Sequence, residues 1–102
     1  MNIRVGMGQM LVEGGALEAN LGRACAMIRR ASQSDCDVVV LPECLDAGWT
    51  HPSAREIAEP VPGKTADRLC ATASEYGIFV VAGLTERAGE EIYNTAILVD
   101  ST

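Results

Sequence analysis

Val38-Val39-Val40-Leu41-Pro42-Glu43 is the stretch on which the fold turns. Four apolar residues in a row, three of them β-branched, suit a strand buried on both faces, as in a parallel sheet. Pro42 has no N–H to give a ladder and closes the strand. Toward the N-terminus, residues 2–10 alternate: Ile3, Val5 and Met7 are apolar, with Asn2, Arg4 and Gly6 between them. That period of two predicts a strand. Gly14-Gly15 breaks the chain, and Leu17, Leu21, Ala24, Cys25, Ile28 and Ala31 then recur at helical spacing, predicting a helix over 16–33. Strand, helix and buried strand make a βαβ unit.

Toward the C-terminus, residues 43–64 hold Gly48, Pro52, Pro60, Pro62 and Gly63. A connection this long is uncommon in a small domain, and long ones are often functional. Ser53-Ala54-Arg55-Glu56 matches a capping box and predicts a short helix within it. A second amphipathic helix follows over 65–76, with Ala66, Leu69, Cys70 and Ala73 inward and Gly77 as its stop. Ile78–Ala82 reads as another buried strand, 87–90 as a turn, and Ile92–Val99 as a strand that pairs back as an antiparallel hairpin. The expectation is an α/β fold, a mixed sheet with two main helices.

The chain has 102 residues, enough for one domain. Hydrophobic residues make up 48% and charged residues 22%, the balance of a folded chain rather than a disordered one. Eight basic residues against 14 acidic ones give a net charge of −6, which argues against nucleic acid as a partner. No apolar run approaches the roughly 20 residues of a membrane span, so no membrane partner is expected. Residues 1–5 lack the features of a secretory signal, so the expected location is cytoplasmic. Cys25, Cys36, Cys44 and Cys70 form no C-x-x-C pair, and the one histidine, His51, is not placed as a ligand beside them. Free, mostly packed thiols and no metal are therefore expected.

Two phosphate-like patterns fail on inspection. Pro62-Gly63-Lys64-Thr65 resembles the end of a P-loop, but Ala58 stands where a glycine is needed, and Pro60 and Pro62 remove backbone donors. Gly6-Met7-Gly8 lacks a third glycine and sits inside a strand, where small residues permit close packing. Glu43 is more informative, because ligands of α/β sheets bind at the C-terminal ends of strands. A carboxylate there, partly shielded from water, is either a proton acceptor or a structural loop acid. Cys44 and His51 together suggest a rival Cys/His nucleophile. Adjacent residues of an extended chain point to opposite sides, so with Glu43 facing a cleft Cys44 faces the packing layer. Trp49, in the same loop, either folds over the site as a lid or lines a pocket.

In order along the chain stand Gly8-Gln9-Met10, Asn20-Leu21, Val38-Val39-Val40-Leu41-Pro42-Glu43, Pro62-Gly63, Val81-Ala82-Gly83-Leu84 and Tyr93-Asn94-Thr95-Ala96. In this order and spacing they resemble the N-terminal portion of the nitrilase superfamily, the carbon–nitrogen hydrolases. The resemblance implies an α-β-β-α sandwich and a Glu-Lys-Cys site that needs no metal or organic cofactor. The glutamate acts as general base, the cysteine attacks an amide or nitrile carbon, and the lysine stabilises the oxyanion. Glu43 matches the base. The lysine and cysteine belong beyond the strand at Tyr93–Asp100; Lys64, the one lysine, lies before it, and no cysteine of this chain holds the nucleophile's place. Residues 1–102 are thus expected to be the N-terminal part of one such domain, truncated and inactive alone. Trp49 and His51 are the expected pocket residues. The expected partners are a small amide, carbamoyl or nitrile substrate and a second copy of the chain. The alternative is a non-catalytic binding or assembly module built on half of the fold.

Overall fold

The computed structural model describes all 102 residues. In chain order the elements are β1 (Val5–Met7), α1 (Leu17–Gln33), β2 (Val38–Val40), α2 (Ala54–Ile57), α3 (Lys64–Tyr76), β3 (Phe79–Ala88) and β4 (Glu91–Val99). They form one four-stranded sheet in the order β1-β2-β3-β4. β1, β2 and β3 run parallel, and β4 runs antiparallel to β3. The mixed α/β sheet with two main helices is as the sequence implies. No helix is long and apolar enough to cross a membrane.

Both long helices cover the same face of the sheet. Leu21, Ala24 and Ile28 of α1 and Leu69 and Ala73 of α3 meet Val39, Val80, Ala82 and Leu84 in one buried core. The alanines let the helices lie close together and close to the strands. Gly77 ends α3 in the left-handed conformation (φ 61°), and Ile78 N donates to Ala73 O across it, the closing pattern expected of a glycine stop. The opposite face carries apolar rows along the register, Met7–Val40–Val81–Leu98 and Val5–Val38–Phe79. Met7 and Leu98 are 77% and 71% exposed there, so these rows are covered by nothing in the chain.

Two element boundaries and one helix cap differ from the sequence reading. β1 shrinks from residues 2–10 to Val5–Met7, because only β2 flanks it. β3 extends from the expected five residues to ten, because the hairpin ladder carries it through polar Thr85, Glu86 and Arg87 to a two-residue turn at Gly89-Glu90. Ser53 does open α2, but its hydroxyl makes no cap bond; it lies 2.7 Å from His51 Nδ1 instead.

One glycine is decisive. The chain leaving β2 crosses β3 at Gly83: Leu41 N donates to Val81 O, Gly83 N to Pro42 O, and Leu45 N to Gly83 O. A Cβ on Gly83 would overlap Glu43 Cα and lie 3.0 Å from Cys44 N. The obstacle is backbone, so nothing flexible can yield. Gly83→Ala is therefore expected to destabilise the chain by about 1–3 kcal/mol. Gly22→Ala, on the exposed face of α1 with nothing within 4 Å, should stabilise it by up to about 1 kcal/mol. Urea midpoints of the two variants measure this; equal midpoints would contradict the crossing.

Candidate active site

Glu43 sits three residues past β2, at the C-terminal end of the parallel strands. Its segment is bent as well as tied down. Cys44 adopts φ 47°, a left-handed conformation costly for a residue with a Cβ. The bend sends Glu43 outward, where it is exposed, and Cys44 inward, where it is buried. Glu43 is thus more open to water than the sequence reading supposed.

Four groups hold this turn. Asn94 Nδ2 donates to Glu43 Oε2 at 2.9 Å. Asp46 is only 3% exposed and has no cation beside it; its carboxylate accepts from Ala47 N (2.8 Å), Thr85 N (2.9 Å) and Thr85 Oγ1 (2.9 Å). A buried carboxylate so held by three donors is satisfied without a counter-ion. The fully buried Asn20 reaches across from α1, donating to Asp46 O (3.0 Å) and Glu13 O (2.8 Å). Gly15 N donates to Ala47 O, so the loop before α1 is laced to the same turn.

Cys44 is not set up as a nucleophile. Burial pushes its thiol up from the ordinary range, and the nearby Asp46 and Glu43 carboxylates push it the same way, against a hydrogen bond from Thr85. His51 is no partner for it. The His51 ring packs on Gly14 and Gly15, where an added Cβ would collide with it, and Nδ1 accepts from Ser53 N at 3.2 Å. Trp49 takes a different place. It lines a cleft of about 190 Å³ with Cys44, Thr85, Ile92, Tyr93 and Asn94, and is 63% exposed. The structure therefore brings Glu43 and Trp49 both beside Asn94 and leaves His51 against the α1 loop.

Lys64 is exposed at the start of α3. The helix donor beside it is occupied: Glu59 accepts from Thr65 N (3.0 Å) and Thr65 Oγ1 (2.7 Å). A carboxylate on that first turn repels phosphate, which agrees with rejecting the P-loop pattern. All four cysteines are free. Sequence reasoning gave no role to Asp46, Thr85 or Asn94. The available signal was Gly83, since an isolated glycine inside a strand marks a close backbone approach.

The family profile described as carbon-nitrogen hydrolase matches residues 4–102. The chain belongs to this family. It is 38% identical over 77 residues to an omega-amidase, NIT2, of Xenopus tropicalis, covering 74% of this chain and 28% of that protein. It is 36% identical over 86 residues to a nitrilase of Pyrococcus abyssi, covering 80% and 33%. Nit3 of Saccharomyces cerevisiae, a solved member of the nitrilase superfamily, superposes with a TM-score of 0.84 at 27% identity, over 97% of this chain and 40% of that one. An amidase from Nesterenkonia, solved as a Glu-to-Gln, Cys-to-Ala double mutant in complex with acrylamide, superposes at 0.81 with 21% identity, a likeness of fold, over 97% and 38%. The chain thus spans about a third of the length of these family members.

The buried thiol gives a direct check. A thiol reagent should label exposed Cys70 at once and Cys44 only on unfolding. The stability consequence has a definite sign. Above roughly pH 8.5 the unfolded chain ionises Cys44 while the folded thiol stays protonated, so stability falls as pH rises. Cys44→Ala should remove that part of the fall above about pH 8.5, read from urea midpoints.

Proposed function

We propose that residues 1–102 are the N-terminal part of a single hydrolase domain acting on non-peptide carbon–nitrogen bonds: amide, carbamoyl or nitrile. Glu43 is the general base, and Trp49 forms a wall of the substrate cleft. The observation that carries this is the placement of the Glu43 carboxylate at the end of a parallel strand, fixed on one oxygen by Asn94, within a chain of this family. The omega-amidase and nitrilase relatives support the bond class.

The chemistry follows from what the base has to do. A thiol near neutral pH is mostly protonated, and Glu43 accepts its proton as the sulfur attacks the substrate carbon. A lysine ammonium beside the developing oxyanion lowers the barrier electrostatically. For an amide, Glu43 passes the proton to the departing ammonia, and water then cleaves the thioester with Glu43 again taking a proton. Cys44 is buried, protonated and turned away from Glu43, so the reading assigns the nucleophile and the lysine to residues outside this chain. The purified chain should therefore release no ammonia from small amides, acrylamide among them. Grafted in place of the matching segment of the Pyrococcus nitrilase, it should support hydrolysis that Glu43→Gln lowers by about 10²–10⁴-fold. Turnover that survives Glu43→Gln, in either form, would sink this assignment.

A second reading, a non-catalytic assembly module, rests on the uncovered sheet face, with Ile3, Val5 and Met7 66%, 55% and 77% exposed. Contiguous apolar surface of this kind favours association with a second copy. Sedimentation of the purified chain decides: concentration-dependent dimers support the module, and a well-folded monomer excludes it.

A further inference from the structure

Thr85 and Asn94 face each other across the β3–β4 ladder. Register partners in an antiparallel pair project from the same face of the sheet. That face, at that point, is where the turn carrying Glu43 passes over. Asn94 takes Glu43 Oε2, and Thr85 takes both oxygens of Asp46, three residues further on. One cross-strand pair therefore grips both carboxylates of a single turn. We propose that Asn94 is the positioning residue of the Glu43 carboxylate, with Thr85 as the anchor of the turn that presents it, so that the hairpin register sets the aim of the base. This rests on the reading of Glu43 as base.

The residue types fit the task. An exposed glutamate has three side-chain torsions and no fixed direction of its own. A carboxylate only accepts, so the Asn94 amide presents its NH₂ to it and its donor role is settled. Asn94 occupies Oε2 and leaves Oε1 to receive a proton. Its amide is neutral, so it orients the carboxylate without the tight hold of a cationic partner. Thr85 acts on backbone: Asp46 is buried, and withdrawing the hydroxyl leaves its Oδ1 held by Ala47 N alone, with no bond from that oxygen to β3. The neighbouring carboxylate on β3, Glu86, accepts from Thr95 Oγ1 at 2.7 Å and sits one position out of register with this pair, on the opposite face.

Side-chain amide NMR of the 102-residue chain tests this. The Asn94 NH₂ signals, assigned by their loss in Asn94→Asp, should move with pH as Glu43 takes up its proton. Glu43→Gln should abolish that movement while the backbone amides of β3 and β4 keep their positions. Thr85→Val should diminish the movement, and Thr85→Ser, which keeps the hydroxyl, should restore it. Asn94 signals indifferent to pH in a folded chain would overturn the proposal, as would Thr85→Val spectra identical to wild type at Asn94. Should Thr85→Val fail to fold, Thr85→Ser and Glu43→Gln still decide. The spectrum requires no turnover, so its failure is distinct from failure of the base assignment, which the Glu43→Gln assay of the grafted enzyme reads alone.

Discussion

The passage of the Pro42–Cys44 backbone over Gly83 is the constraint on which the rest of the site depends. It is a contact between main chains, so it admits no Cβ and little adjustment. Hydrogen bonds on either side of it fasten the turn to the central strand of the sheet. The left-handed Cys44 follows from the crossing: the chain must rise over β3 and descend at once to bury Leu45. The strain at Cys44 is local and is held by everything around it, the circumstance in which such conformations persist at functional sites.

From that crossing the polar network is laid out in order. Asp46 descends beside Thr85, Asn20 reaches over from α1 to the carbonyl of Asp46, and Asn94 stands opposite Thr85 to meet Glu43. Asp46 is satisfied by neutral donors alone, while Asn20 Oδ1 accepts from Glu13 N (2.8 Å) and from the Arg23 guanidinium (2.7 Å). The turn around Asp46 therefore holds its shape without an ion pair of its own; the Arg23–Glu13 salt bridge flanks Asn20 at the edge of the network, and Arg68–Glu18 lies elsewhere on the surface. Partly exposed pairs of that kind contribute little to stability. The rigid part of the site is the part that neighbours in sequence and in register can build; the carboxylate tip and Trp49 remain open to solvent.

How far the sequence revealed this depends on the range of each interaction. The βαβ unit was legible because it is written in local periodicity: the alternation at 2–10, the helical spacing at 16–33 and the apolar run at 38–41. Gly77 was legible because a helix stop is a local event. The extent of β3 was not, because Thr85, Glu86 and Arg87 are strand residues only through pairing with β4. The Ser53 cap failed for the same kind of reason, its hydroxyl being drawn to His51 once that ring is fixed against Gly14 and Gly15. Glu43 could be singled out by its place after a buried strand. Asp46 and Asn94, 48 residues apart in the chain, acquire their roles only when the crossing brings loop and hairpin together.

The crossing itself is open to one direct measurement, the nuclear Overhauser contact between the α-protons of Gly83 and Glu43 in the 102-residue chain. The structure predicts a strong cross-peak, since a Cβ at Gly83 would overlap Glu43 Cα. A well-dispersed spectrum in which that cross-peak is absent would contradict the account, because Glu43 would then be aimed by something other than β3.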